Sequence, residues 1–177
     1  MYLPGGPTKD EVLAISLLKL DPGIDEIFAD LGCGTGRVSL AVAPLVREVY
    51  AVDSREEAVH MTRVQAEAAG LSNISFIHSK IEDFLRERPE IDIAFVGGTR
   101  SLRETLGLLA RGGVRKVVVN AVLLESVHEA VACMQSLGIF EEIVQVQVSR
   151  GAPLGKGIMM KPLDPVFIIT GGCRSCS

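Results

Sequence analysis

Apolar and polar positions along the chain alternate between two periods, and the switches between them outline the fold. A helix is expected over Thr8–Leu20, where Val12, Ile15 and Leu18 share a face and Thr8 with Glu11 has the spacing of a capping box. A short apolar strand follows at Ile27–Asp30, a helix at Gly36–Leu45, a strand at Glu48–Asp53, and a helix at Glu56–Ala69 closed by Gly70. Ile74–His78 and Ile91–Val96 read as the third and fourth strands, Leu102–Ala110 as a helix, and the β-branched run Arg115–Val122 as the fifth strand. Glu125–Leu137 reads as a helix closed by Gly138. Two extended segments close the pattern, Phe140–Ser149 and Val166–Thr170, joined by a stretch over 150–165 rich in Gly, Pro, Lys and Met.

Five short apolar strands separated by helices predict an α/β fold, with a parallel sheet covered on both faces. The last two strands have no helix between them, which predicts an antiparallel hairpin at one sheet edge. Gln145, Gln147 and Ser149 alternate with Val144, Val146 and Val148, as in a strand with one wet face. A Rossmann-like seven-stranded sheet of this kind is that of the class I methyltransferases. The 177 residues suit one such domain, 1–177, and hydrophobic residues at 47% allow a sizeable core without disulfides. A formal charge of −4 argues against a broad electrostatic grip on nucleic acid. No apolar run reaches about 18 residues and no basic segment leads an apolar one at the start, so neither a membrane span nor a signal peptide is expected. The expected compartment is the cytoplasm, where the four cysteines would be thiols.

The chemistry concentrates where the first strand runs into Asp30-Leu31-Gly32-Cys33-Gly34-Thr35-Gly36. Ligands of doubly wound sheets sit beyond the carboxyl ends of the strands. Glycines there let the backbone turn tightly and approach a ligand closely. Asp30 would lie near an ammonium, and Asp53, ending the second strand about 20 residues on, would accept ribose hydroxyls. A nicotinamide-dinucleotide fingerprint needs glycine at the sixth position of its motif, and here that position is Arg37. The acid-x-G-x-G-x-G form instead suits S-adenosylmethionine. The fourth strand ends in Val96-Gly97-Gly98-Thr99-Arg100, without the N/D-P-P-Y/F of amino-methylating enzymes. His60, His78 and His128 are scattered, and no metal site is expected. Cys173-x-x-Cys176 has the spacing of half a zinc site, but a second pair is missing.

Several segments together resemble the precorrin C15-methyltransferases of the cobalamin pathway: Gly6-Pro7-Thr8-Lys9-Asp10-Glu11-Val12, the glycine turn, Val49-Tyr50-Ala51-Val52-Asp53, Asp92-Ile93-Ala94-Phe95-Val96-Gly97-Gly98, Asn120-Ala121-Val122-Leu123-Leu124-Glu125 and Asp164-Pro165-Val166-Phe167-Ile168-Ile169. The resemblance runs from Pro4 to about Gly171. It implies methylation of C15 of cobalt-precorrin-6B, a cobalt-carrying tetrapyrrole, with loss of the C12 acetate carboxyl. It also implies a homo-oligomer, a tetramer, and a separate C5-methyltransferase elsewhere in the pathway. It places the cofactor on Thr8, on the glycine turn and on Asp53. The family's Asp-Ala after the third strand is Lys80-Ile81 here, which leaves a backbone contact to adenine at Ile81.

Such a substrate carries many acetates and propionates. Arg100 and Arg103 after the fourth strand, and Arg150, Lys156 and Lys161 in the hairpin stretch, are candidate partners for those carboxylates. Each could equally be a solvated surface charge. Gly97 and Gly98 would let a flat ring approach the backbone, and Met159-Met160 could contact it or serve packing. A class I enzyme acting on tRNA or protein, and a non-catalytic subunit, are the competing readings.

Overall fold

The computed structural model describes residues 8–87 and 89–173. Six α-helices and nine strands occur among them, in the order α1 (Asp10–Leu20), β1 (Ile27–Leu31), α2 (Arg37–Val42), a 3-10 turn (Ala43–Leu45), β2 (Glu48–Asp53), α3 (Glu56–Ala68), β3 (Ile74–His78), α4 (Ile81–Arg86), β4 (Ile93–Val96), α5 (Leu102–Arg111), β5 (Lys116–Ala121), α6 (Leu124–Ser136), β6 (Phe140–Val146), β7 (Ser149–Leu154), β8 (Gly157–Pro162) and β9 (Val166–Gly171). Seven strands form one sheet in the order β3-β2-β1-β4-β5-β9-β6. The pairs from β3 through β5 are parallel, and β9 runs antiparallel to both β5 and β6. This is the class I methyltransferase sheet.

Central strands buried on both faces read as unbroken apolar runs. β1 and β4 are buried at every residue. Their side chains sort by the two-residue period of a strand. Ala29, Leu31, Ala94, Val96, Val117 and Val119 pack with residues of α4, α5 and α6, such as Leu85, Leu106 and Met134. Phe28, Val49, Ala51, Ile93, Phe95 and Val118 pack with residues of α1, α2 and α3, such as Val12, Val42 and Ala66. Burying a large apolar side chain of this kind stabilises by about 1.5–3 kcal/mol. The two cores clamp the sheet from both faces and hold the carboxyl ends of its strands in place.

The structure departs from the sequence-based expectations in four places. First, α1 begins at Asp10 with Lys9 as its cap and no side-chain cap bond, so the Thr8/Glu11 capping box does not form. The first-turn acids are drawn to other elements instead, Asp10 to Arg37 and Glu11 to Arg150. The buried face of α1 follows Val12, Ser16 and Leu20, and Leu18 is 75% exposed. Second, α4 was not expected from the pattern. Its six residues are too few to display a helical period, and only Phe84 and Leu85 are buried. Third, the strand expected over Phe140–Ser149 ends at Val146, and the stretch that follows forms an antiparallel ribbon of its own, β7 with β8, closed by Gly155 at φ +59°. Fourth, β4 starts at Ile93 rather than Ile91. No helix among the described residues is long and apolar enough to cross a membrane. Gly6, Pro7 and Cys176 lie outside the described residues, so the paired spacing of Cys173 with Cys176 receives no structural account.

Candidate functional site

β1 leaves the sheet into a turn in which Gly32, Gly34 and Gly36 all have positive φ (+84°, +57° and +75°). Its entry is tied to the neighbouring strand: the Gly32 and Cys33 N–H groups donate to the Val52 carbonyl at 2.8 and 3.0 Å. Its exit is tied internally, with the Gly36 N–H donating to the Cys33 carbonyl at 2.8 Å. Two of the glycines have no room for a side chain. A Cβ on Gly32 would lie 2.8 Å from the Gly98 nitrogen, and one on Gly36 would lie 2.5 Å from Thr62 Cγ2. Thr62, fully buried on α3, fills the inside of the turn. Its hydroxyl donates to the Ala58 carbonyl at 2.9 Å, and Gln65 Nε2 donates to the Thr35 carbonyl at 3.1 Å. Cys33 is buried in the turn, and that burial raises its thiol well above its ordinary range.

The two acids beside the turn are held in opposite ways. Asp30 is buried at the end of β1, where Oδ2 accepts from the Ser39 N–H (2.9 Å) and hydroxyl (2.5 Å) of α2. Its Oδ1 has no partner. Burial outweighs the Ser39 bonds and raises the Asp30 carboxyl to about 7. An unpartnered buried carboxylate oxygen beside a ligand cavity suits an incoming cation. Asp53, at the end of β2, has every acceptor position filled. Oδ1 accepts from the Arg55 N–H and Nε, each at 3.0 Å, and Oδ2 from the Gly34 N–H and Arg55 Nη2, each at 2.9 Å. Burial opposes ionisation of Asp53, but the Arg55 bonds win and hold the carboxyl below its ordinary value.

Two cavities open over the carboxyl ends of the strands. One of about 700 Å³ is lined by Asp53, Arg55, Ile81, Glu82, Gly98 and Arg100, among others. One of about 710 Å³ is lined by Thr8, Asp30, Gly34, Thr35, Asn120 and Leu123, among others. They share Gly32, Arg55, Gly97 and Thr99, and so form one crevice with Arg55 at the junction. The fold thus brings Thr8, Asp30, Gly32, Cys33, Gly34, Thr35, Asp53, Ile81, Gly97, Gly98 and Arg100 together, with Gly36 closing the turn beneath.

Arg103, Arg150, Lys156 and Lys161 line neither cavity. Arg150 is bound to Glu11 on α1 at 2.9 and 3.1 Å, and Lys156 and Lys161 are exposed on the ribbon, as are Met159 and Met160. Ser39, Arg55 and Thr62 escaped the sequence reading. Only Arg55 left a signal there, a cation two residues after a strand-ending acid. Ser39 and Thr62 reach the turn through tertiary packing. Among the described residues no cluster of three or more His, Cys, Asp or Glu could hold a metal.

The precorrin methyltransferase domain family model matches residues 4–171. A probable cobalt-precorrin-6B C(15)-methyltransferase (decarboxylating) of Methanosarcina acetivorans is 41% identical over 172 residues, 94% of each chain. The crystal structure of precorrin 8w decarboxylase from Methanobacterium thermoautotrophicum superposes with a TM-score of 0.90 at 35% identity, covering 97% of this chain and 96% of that one. A SAM-dependent O-methyltransferase of Thermotoga maritima superposes with a TM-score of 0.74 at 16% identity, over 97% of this chain and 68% of that one, a likeness of fold alone.

Proposed function

The chain belongs to the precorrin methyltransferase family, and from that premise we propose that it methylates C15 of cobalt-precorrin-6B from S-adenosylmethionine, releasing the C12 acetate carboxyl as carbon dioxide to give cobalt-precorrin-7. The observation that carries the cofactor assignment is the bare glycine turn set between Asp30, which lines the second cavity with one buried oxygen unpartnered, and Asp53, which lines the first. When bound, the cofactor supplies a methyl group already activated on a sulfonium. The protein's contribution is to hold and align the partners, which requires no strong base.

Asp30 is the acceptor for the cofactor's ammonium, and Asp53 for its ribose hydroxyls. Thr8 and the backbone of Gly32, Cys33, Gly34, Thr35 and Gly36 hold the amino-acid end, and the Ile81 backbone meets the adenine. Gly97 and Gly98 present bare backbone to the macrocycle, and Arg100 offers a fork to one of its carboxylates. The test is mass spectrometry of cobalt-precorrin-6B incubated with the protein and the cofactor. Gain of one methyl with loss of carbon dioxide is expected, and an unchanged tetrapyrrole would overturn the assignment.

The proposal extends to a homotetrameric cytoplasmic enzyme of one domain, working beside a separate C5-methyltransferase. Its support is the β7–β8 ribbon, where Leu154, Ile158 and Met160 are 61%, 79% and 60% exposed, apolar surface that a second copy would cover. Cys33, Cys133 and Cys173 are free thiols, as a reducing compartment keeps them.

A further inference from the structure

Asp53 has no acceptor site to spare for a ribose. A carboxylate offers about four lone-pair positions, and four donors occupy them: two backbone N–H groups and two from the Arg55 guanidinium. The backbone donors are set by the chain, one of them in a turn pinned to the Val52 carbonyl. The guanidinium is not so fixed. It stands on a rotatable side chain that is 38% exposed, whereas the Asp53 side chain is 4% exposed. It is also the one charged side chain common to both cavities.

Building on the cofactor assignment above, we infer that Arg55 occupies the ribose position of the free enzyme and is exchanged for the ribose diol when the nucleoside binds, which turns its guanidinium into the crevice to receive a carboxylate of the acidic macrocycle. The exchange balances on Asp53. Two hydroxyl hydrogens take the sites left by Nε–H and Nη2–H, so the buried carboxylate keeps four donors. It does not balance on Arg55, whose charge leaves its partner and needs another. Of the carboxylates lining the first cavity, Asp83 and Glu104 are already paired with Arg86. In the second cavity, Asp30 is buried on Ser39 and Asp164 lies exposed to water. An anion carried in by the substrate offers the freed fork a two-pronged partner. Nucleoside binding therefore places a forked cation in the crevice just before a polycarboxylate arrives. By linkage, the substrate tightens the nucleoside by the same factor.

Calorimetry on the full chain with S-adenosylhomocysteine tests the exchange. Arg55→Gln is expected to bind it roughly three- to tenfold more tightly than the native protein, because the competing fork is gone. Arg55→Lys, which keeps the charge but loses the fork, should fall between them. A paired titration with 5′-methylthioadenosine and its 2′,3′-dideoxy form separates exchange from a general charge effect: the tightening should appear with the diol alone. Equal or weaker binding by Arg55→Gln, or equal tightening of the dideoxy compound, overturns the exchange. In steady-state turnover the same variant should raise the tetrapyrrole KM by about tenfold with little change in kcat, and an unchanged KM overturns the carboxylate role. Should the native protein itself fail to bind S-adenosylhomocysteine, the cofactor assignment falls first and the exchange with it.

Discussion

The glycine turn and the β7–β8 ribbon stand at opposite extremes of the same chain. Around the turn, β1 is buried at all five residues, and bonds from β2 and α3 hold the turn while Ser39 of α2 holds Asp30 beside it. On the ribbon, every residue of β7 and β8 except Ala152 is exposed, and the exposed apolar side chains include Leu154, Ile158 and Met160. One region is completed by its own chain; the other lacks cover within it. The difference teaches where each region's energetics lie: the turn's in close packing that tolerates no added atom, whereas the ribbon's apolar side chains gain little from burial within the single chain.

Four outcomes would break or sharpen that contrast, beginning with the largest. Gly36→Val places side-chain carbon against Thr62 at a left-handed φ, combining overpacking with backbone strain, and should cost about 2–4 kcal/mol of stability in denaturant titrations. A loss too small to measure would show that the turn is loosely held. Asp53→Ala should weaken S-adenosylhomocysteine binding by tenfold or more in calorimetry, since a charge-assisted hydrogen bond contributes roughly 1.5–3 kcal/mol. Unchanged affinity would remove Asp53 from the ribose.

Asp30 makes a prediction in pH. Its folded carboxyl is raised from 3.8 to about 7 by burial, so below that value a proton occupies the position meant for an ammonium. Affinity for S-adenosylhomocysteine should fall as pH drops below about 7, by at most about tenfold per unit, and Asp30→Asn should flatten the profile. The sign for the free protein's stability is the reverse. The unfolded chain ionises first, so Asp30 lowers stability progressively as pH rises from about 4 to about 7, and the loss is constant above. The smallest effect on the chain itself is expected on the ribbon. Changing Ile158 and Met160 to serine should alter the stability of the isolated chain by about 0.5 kcal/mol or less, while sedimentation shows the assembly falling apart. A variant that stays assembled would place the interface elsewhere.

What could be read in advance follows the same division. The strand order's parallel core, the turn, Asp30 and Asp53 were legible because each depends on local rules: an apolar run, glycines where φ is positive, an acid at a strand end. α4 was not legible, because six residues present no period, and β7–β8 were hidden by glycine and proline, which break the two-residue alternation of a strand. Among the basic candidates, Arg100 came to the crevice, whereas Arg150 was drawn to Glu11, 139 positions away along the chain. Nothing local distinguishes the two arginines.

By itself, then, the order of residues determined the alternation of strands and helices, the place of the bend, and the chemical kind of ligand its two acids suit. Those are consequences of backbone sterics and hydrophobic period, which act within a few residues. Only the tertiary structure decided that Ser39 would satisfy one oxygen of Asp30 and leave the other free, that Thr62 would fill the turn, and that the Arg55 fork would cover Asp53. Those depend on which way each side chain turns once the elements pack, and a hydrogen bond set by that choice of rotamer and contact is not written in the apolar and polar period of the chain.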